Sequence, residues 1–271
     1  MPDGRSELIP GAYNPRFQRV FAWYAKRLFR KRFYAVRAAP GSVALLESVR
    51  ALPTPVILGF NHCSWWDPMI GFHLHGQFLA GRTPCSPIDA TQLRRFQFFR
   101  KLGMFGIDPD DPTSLRAMAR YVGERFATDE RPLLMLTPQG RFVDPRVPVE
   151  VRPGIGLVAM QHPNAHVLVV AVEYAFWTEQ RPEVFLRVEP VEAPADARSV
   201  RAWSDAAEAA MRRNAAALAE LVIARDSARL ETISGGGEAH IHPLYDLLLR
   251  LTGRGTAIEV AHRARPTEAP R

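Results

Sequence analysis

Short apolar runs alternate with amphipathic segments along most of the chain. The runs typical of buried strands lie at 56–60, 78–81, 104–107, 133–137, 167–174 and 184–191. Apolar residues at helical spacing between them predict helices over about 66–76, 90–102, 113–128 and 154–161. This alternation predicts an α/β domain with a mixed, largely parallel sheet flanked by helices, in which functional groups gather at the ends of strands.

The two ends of the chain differ from this pattern. Residues 14–37 predict a basic, aromatic, amphipathic helix, and residues 198–229 predict one long Ala-rich helix. In the first of these, the apolar set is Phe17, Val20, Phe21, Tyr24, Leu28 and Phe29, and the basic set is Arg16, Arg19, Lys26, Arg27, Arg30 and Lys31. Residues 235–237 indicate a glycine linker, which precedes a short helix at 242–251 and a polar tail that we expect to be disordered.

Composition narrows the class of partner. A chain of 271 residues with 47% hydrophobic content can form one large globular domain with appendages. The net charge of +7 and the pI near 9.9 predict an anionic partner, which is nucleic acid, a membrane surface or a phosphorylated substrate. No nucleic-acid-binding signature is present in the sequence. The mixed aromatic and basic residues of 14–37 favour a helix that lies in the lipid head-group layer. A basic helix packed on the domain would show a similar pattern. We therefore expect a membrane-associating segment at 1–39, a domain at 40–234 and an appendage at 235–271.

The cysteines and histidines predict neither disulfides nor a bound metal. Cys63 and Cys85 are too few for a disulfide framework or a structural zinc site, which fits a reducing cytoplasm. The first ten residues lack the apolar segment of a secretion signal, and no apolar run reaches the length of about 18 residues that a membrane-spanning helix needs. The sequence contains two histidine pairs, His73 with His75 and His240 with His242. Neither pair has the further ligands of a recognisable metal site.

The segment N-H-C-S-W-W-D-P at 61–68 directly follows the apolar run 56–60. A neutral imidazole at His62 can accept a proton from a hydroxyl if a neighbour holds the correct tautomer, and Asp67 can fold back to do so if a helix starts near Trp65. The simpler alternative is a packed histidine and a helix-capping aspartate. Ser64 lacks the G-x-S-x-G context of a hydrolase nucleophile, and Cys63 is expected to point away from its neighbour His62.

A second motif, T-P-Q-G-R at 137–141, also follows an apolar strand. Together these blocks resemble the glycerolipid and lysophospholipid acyltransferase family over roughly residues 40–195. The family block Asn-His-x4-Asp is matched by Asn61, His62 and Asp67, and the block Phe-Pro-Glu-Gly-Thr-Arg is matched by Pro138 and Gly140. A looser match to Gly-x-Ile-Phe-Ile-Asp-Arg lies at 103–109, and the fourth, apolar block lies at 169–174.

The resemblance implies transfer of an acyl group from acyl-CoA or acyl carrier protein to a hydroxyl of a membrane lipid, most simply a lysophospholipid, without a cofactor. It also implies a peripheral enzyme at the cytoplasmic face of the membrane. In the family's terms, His62 is the general base and Asp67 orients it, and Asn61, Gln139, Gly140 and Arg141 are the substrate-binding residues. Backbone amides near Gly140 would bind the developing oxyanion.

Several positions depart from the family pattern. The family arginines that bind an acceptor phosphate fall on Pro109 and Phe142, and Arg141 lies one position early. Gln139 replaces the family glutamate and lacks its charge. Either Arg141 still reaches a phosphate or the acceptor carries none. Basic residues that would assist Arg141 are Arg94, Lys101, Arg146 and Arg152.

Other classes of function remain to be distinguished. A thioester hydrolase would turn over without an acceptor lipid, and a non-catalytic lipid-binding protein would have a degenerate site. The intact Asn61, His62 and Asp67 argue against degeneration. An aromatic cluster fits either the core or the lining of an acyl tunnel, and its members are Phe96, Phe98, Phe99 and Phe105.

Overall fold

The structure is a computed structural model that describes residues 8–236. The short helix predicted at 242–251, the polar tail and the pair His240/His242 lie outside the described residues. Between residues 8 and 236 the strands are β1 (Ala35–Ala38), β2 (Val56–Phe60), β3 (Thr83–Asp89), β4 (Met104–Ile107), β5 (Pro132–Leu136), β6 (His166–Ala175), β7 (Glu183–Pro190) and β8 (Glu231–Gly235). The helices are α1 (Pro15–Arg32), α2 (Ser42–Arg50), α3 (Asp67–Phe78), α4 (Ala90–Arg95), α5 (Pro112–Thr128), α6 (Gly154–Gln161) and α7 (Val200–Ala224).

The strands form one sheet in the order β4-β3-β5-β2-β6-β7-β1-β8. Pairing is parallel from β4 through β6 and again between β7 and β1, and it is antiparallel for β6 with β7 and for β1 with β8. The predicted mixed, largely parallel sheet is therefore confirmed. β2 lies in the centre, between β5 and β6, so that the carboxyl ends of these three strands meet at one edge.

The sheet is buried on both faces, as a parallel sheet requires. Ile57 and Leu58, neighbours in β2, are each 0% exposed and belong to different apolar clusters. The cluster around Leu58 includes Phe29 of α1 and Phe72 of α3, and the cluster around Ile57 includes residues of α5, α6 and α7. The run V-I-L-G-F therefore has no polar face, because both of its faces support a layer of helices.

Two of the sequence predictions in the middle of the chain are wrong. The strand predicted at 78–81 is the end of α3 and a turn, and the strand begins at Thr83. Pro84 and Pro87 prevented the prediction of β3, because proline lacks the N–H group that a strand normally donates. Each half of this strand pairs with a different neighbour, β5 first and β4 afterwards, so the missing N–H groups are tolerated. The single helix predicted at 90–102 is instead α4 followed by a 3-10 helix over Gln97–Leu102.

The predicted terminal helices are too long. α1 ends at Arg32, and β1, which lies within the predicted segment 1–39, is an interior strand of the sheet. α7 ends at Ala224, its C-cap Arg225 adopts the left-handed conformation with φ 52°, and a 3-10 helix over Ser227–Arg229 follows. Gly235, predicted as linker, is the last residue of β8, and α2 was not predicted. No helix within residues 8–236 combines the length and the apolar character needed to cross a membrane.

Candidate active site

Asn61 fixes the point at which the chain leaves β2. Its side-chain amide donates to the carbonyl oxygen of Val172 at 2.9 Å, and its side-chain oxygen accepts from the Val172 N–H at 2.7 Å. The side chain thus imitates a peptide group and extends the β2–β6 ladder by one step. Asn61 was predicted to contact substrate, but here its amide group is used to hold the loop that carries His62.

His62 and Asp67 are brought together as the sequence predicts. Nδ1 of His62 lies 2.8 Å from Oδ2 of Asp67, whose side chain is fully buried while the imidazole keeps 15% exposure. A carboxylate only accepts hydrogen bonds, so Nδ1 carries the proton and Nε2 is left with its lone pair. Within residues 8–236 Nε2 has no hydrogen-bond partner. The pair can therefore accept a proton from a bound hydroxyl.

Asp67 also organises the turn before α3. Its Oδ2 accepts the backbone N–H groups of Cys63 and Ser64, each at 2.8 Å. Asp67 is the first residue of α3, where the helix dipole favours a negative charge. The helix-capping alternative does not hold, since α3 has no side-chain cap and both N–H groups precede the helix. The carboxylate closes the turn and orients the imidazole with the same oxygen.

Tyr174, which the sequence analysis assigned only to an apolar block, contacts the same carboxylate. Its hydroxyl donates to Oδ1 of Asp67 at 2.7 Å. Burial, followed by the charge of Asp67, raises the pKa of Tyr174 well above its ordinary value, so this hydroxyl stays protonated at neutral pH. A hydroxyl-bearing ring at the end of the apolar run 167–174 was the only sign of it in the sequence.

The loop after β5 holds the backbone of His62. Oε1 of Gln139 accepts the His62 N–H at 2.8 Å, and the Val143 N–H donates to the His62 carbonyl at 2.7 Å. Because β2 and β5 are adjacent and parallel, these two loops leave the sheet side by side. The contact from Gln139 needs only an acceptor oxygen, which an amide supplies as well as a carboxylate does.

Gly140 shapes a turn that a larger residue would disturb. Its φ is +65°, and a Cβ there would lie 2.9 Å from Cδ of Arg152. Its own N–H donates to the carbonyl of Thr137 at 3.0 Å, so among the backbone amides near Gly140 this one is not available to an oxyanion. The next two amides, those of Arg141 and Phe142, have no partner in the part of the chain that the structure describes.

The basic residues near this loop are already engaged. Arg141 lies 3.4 Å from Glu150, and both side chains are mostly exposed. Arg152 donates to the carbonyl of Pro109 at 2.7 Å and approaches Asp110 at 3.4 Å. A cavity of about 340 Å³ is lined by Gln139, Arg141, Val143, Val147, Pro148, Glu150, Val151 and Arg152.

The remaining predicted contributors lie elsewhere or play other parts. Arg146 pairs with Asp144 at 2.7 Å, and Lys101 lies 5.5 Å from the ring centre of Phe17. No contact connects Arg94 with the loop. The ring of Phe142, at the place of a family arginine, lies 4.1 Å from the imidazole of His62, centre to centre.

Three other groups do not form alternative reactive centres. Burial, followed by the charge of Asp67, raises the pKa of the Cys63 thiol to about 12, so it is a poor nucleophile. His75 is buried between the Gln18 side chain and the Arg82 carbonyl, and burial lowers the pKa of His73 to about 4. Within residues 8–236, no three His, Cys, Asp or Glu side chains come together as a metal site.

The aromatic cluster is divided by the fold. Phe105 is fully buried and packs on Tyr121, with 4.7 Å between ring centres. Phe98 and Phe99 pack on each other at 4.3 Å on the 3-10 helix, where Phe98 is partly exposed. Phe105 therefore belongs to the core, whereas Phe96 and Phe98 are exposed and Phe99 packs partly buried against the core, with Phe98 beside Phe21 of α1.

Comparison with known structures agrees with this architecture. The chain is similar to the crystal structure of the 1-acyl-sn-glycerophosphate (LPA) acyltransferase PlsC from Thermotoga maritima, with a TM-score of 0.53 and 18% sequence identity. The similarity covers 78% of this chain and 81% of that one. No protein-family model and no curated protein sequence matches the chain. The chain therefore has a glycerolipid acyltransferase-like fold, as its sequence blocks predicted.

Proposed function

We propose that the protein is a peripheral membrane O-acyltransferase that moves a fatty acyl group from acyl-CoA or acyl carrier protein to a hydroxyl of a membrane lipid. The observation that carries the proposal is the buried Asp67 carboxylate on Nδ1 of His62, which leaves Nε2 free at the carboxyl edge of the sheet. The similarity in fold to a PlsC acyltransferase supports it.

The proposed reaction needs one base and no covalent intermediate on the protein. Nε2 of His62 accepts the proton of the acceptor hydroxyl as that oxygen attacks the thioester carbonyl carbon. The C–S bond then breaks, and the imidazolium returns the proton to the departing sulfur, which gives an ester and a free thiol. Asp67 stabilises the imidazolium in between. The free amides of Arg141 and Phe142 are the proposed oxyanion donors, in place of the engaged amide of Gly140.

A lysophospholipid is the proposed acceptor. Arg141 and Arg152 both line the cavity beside Gln139, and an arginine fork suits phosphate oxygens. Arg152 reaches the Pro109 carbonyl, so a guanidinium lies between the two loops where the family sequence would place arginines at 109 and 142.

A second acceptor class, a neutral or glycosylated lipid, has its own support. Each of the two guanidinium groups already has a carboxylate near it, Glu150 for Arg141 and Asp110 for Arg152. In addition, the ring of Phe142 lies against the imidazole of His62. This apolar ring offers no positive charge and no hydrogen-bond donor to an anionic head group. A lipid with an uncharged head group would leave both ion pairs intact.

Membrane association is proposed through the outer face of α1. Ala25 and Phe29 are buried against the domain, whereas Val20, Trp23 and Tyr24 are 65%, 66% and 49% exposed. Basic side chains flank these three residues on the same helix, and they include Arg19, Lys26, Arg27 and Arg30. Aromatic rings and cations together are typical of helices in the head-group layer of anionic membranes.

The proposal is tested with a lipid extract and a labelled acyl donor, the products being identified by mass spectrometry. Wild-type protein is expected to form a labelled lipid ester, and His62→Ala is expected to abolish transfer while the donor still binds. Release of labelled fatty acid without an acceptor lipid would identify a hydrolase instead. A His62→Ala variant that kept more than about a tenth of the turnover would exclude general-base catalysis.

A further inference from the structure

The Asp67 carboxylate is held at both oxygens, and the two sets of contacts come from different parts of the fold. Oδ2 accepts from His62 and from the backbone of Cys63 and Ser64, all within the loop after β2. Oδ1 accepts from Tyr174, which belongs to β6. A terminal carboxylate torsion is broad when one oxygen alone is held, so a contact at the second oxygen defines the plane of the group.

We propose that Tyr174 is a positioning residue for the His62–Asp67 pair, because its hydroxyl fixes the carboxylate plane that keeps Oδ2 directed at Nδ1. This proposal deepens the proposed acyl transfer and rests on it for its kinetic consequences. Tyr174 does not touch the reacting atoms. It acts through Asp67, and Asp67 acts through the imidazole.

The fold gives the Tyr174 hydroxyl a fixed origin. Phe60, the last residue of β2, is paired with Val170, and Tyr174 follows on the same face of β6 after two further alternations. The backbone of β6 is held by β7 at this level, where Tyr174 is paired with Val184. The ring of Phe33 lies 5.9 Å from the Tyr174 ring. A rigid strand thus aims the hydroxyl at a loop residue.

Ser64 is engaged within the same loop. Its Oγ accepts the Trp66 N–H at 3.2 Å, which helps to hold the turn that leads to Asp67.

Few other titratable groups face the carboxylate. Within residues 8–236 the Cys63 thiol also approaches it, with Sγ 3.8 Å from Oδ1, and the charge of Glu173 in β6 acts on that thiol. Burial raises the pKa of Cys63 to about 12, so the thiol does not titrate near neutrality. Neither group can replace the Tyr174 hydroxyl as a strong donor to Oδ1.

Tyr174→Phe removes one oxygen and keeps the ring. Without that donor the carboxylate is held at Oδ2 alone, so Oδ2 is directed less well at Nδ1 and stabilises the imidazolium less. We expect kcat to fall roughly 10-fold with KM nearly unchanged. Tyr121→Phe is the matched control, because its hydroxyl also has one hydrogen bond, from Gly11 at 3.0 Å, away from the pair.

A readout without substrate separates this proposal from the proposed function. In histidine-labelled protein, the Nδ1 proton of His62 is followed by NMR, and its signal is expected to move upfield in Tyr174→Phe, as for a longer hydrogen bond to Oδ2, while Tyr121→Phe leaves it in place. That change would support positioning even if no acyl transfer were found. A wild-type Nδ1 proton signal in Tyr174→Phe, or a loss of kcat accompanied only by a lowered melting temperature, would overturn the proposal.

Discussion

Replacement of Asp67 by asparagine separates the charge of the carboxylate from its geometry. An amide has one acceptor oxygen and one donor nitrogen, and the Oδ2 position must accept three N–H groups, from His62, Cys63 and Ser64. The asparagine oxygen is therefore expected to occupy that position, which leaves its NH₂ group facing the oxygen of Tyr174. Nδ1 of His62 keeps its proton, and the active tautomer survives.

The magnitude of the effect follows from the lost charge. With the charge centres roughly 5 Å apart and an effective dielectric constant of about 20, the carboxylate stabilises the imidazolium by about 3 kcal/mol. That energy corresponds to a loss of about 10²-fold in kcat. Since the substrate does not touch Asp67 in this mechanism, KM for either substrate is expected to change less than about threefold.

Steady-state kinetics with labelled donor and saturating acceptor measure this loss. Asp111→Asn is the control, because Asp111 also accepts a backbone N–H at a helix start, from Thr113 at 2.8 Å, but has no histidine partner. Activity within about threefold of wild type in Asp67→Asn would show that Asp67 acts only by closing the turn before α3. A loss as large as that of His62→Ala would show that the tautomer was not retained.

The remaining predictions concern the acceptor, the loop and the membrane. If a phosphate is bound at the cavity, Arg152→Ala should raise the acceptor KM roughly tenfold or more and leave the donor KM unchanged, and Arg141→Ala, at a more exposed residue, should have a smaller effect. Equal acceptor KM values in wild type and both variants, together with faster transfer to a glycosylated or neutral lipid than to lysophosphatidic acid, would favour the uncharged acceptor. Gly140→Ala should cost about 1–3 kcal/mol in denaturant unfolding, because its positive φ and the nearby Arg152 side chain both oppose a Cβ; an unchanged midpoint would contradict this. Trp23→Ser should weaken sedimentation with anionic vesicles about tenfold without lowering the melting temperature, and equal sedimentation would remove α1 from the proposed membrane surface.

The sequence predicts those parts of the site that depend on neighbouring residues. The spacing from His62 to Asp67 closes within one turn at the start of α3, and the resemblance placed Gln139 in the loop beside it. Contacts made across the sheet could not be predicted in this way. Tyr174 reaches Asp67 only because β6 pairs with β2, and no local pattern specifies that pairing.

The errors in the fold have a similar cause. β1 was read as part of a helix because Ala35–Ala38 follows a strongly helical segment, yet its interior place between β7 and β8 fixes it as a strand. β3 was missed because its two prolines remove N–H groups that a strand normally needs. Its neighbours change halfway along, so that the ladder tolerates them.

The packing of α1 also decides how membrane association can be tested. Phe33, which caps α1, lies 4.9 Å from the ring of Trp66 and 5.9 Å from that of Tyr174, and Phe29 lies 5.8 Å from Trp66. The inner face of α1 thus supports the loop that carries the His62–Asp67 pair. Deletion of residues 1–37 would remove this support and most of β1, so that lost vesicle binding would be inseparable from lost folding. Only substitutions on the outer face, where Trp23 is exposed, test the membrane role by itself.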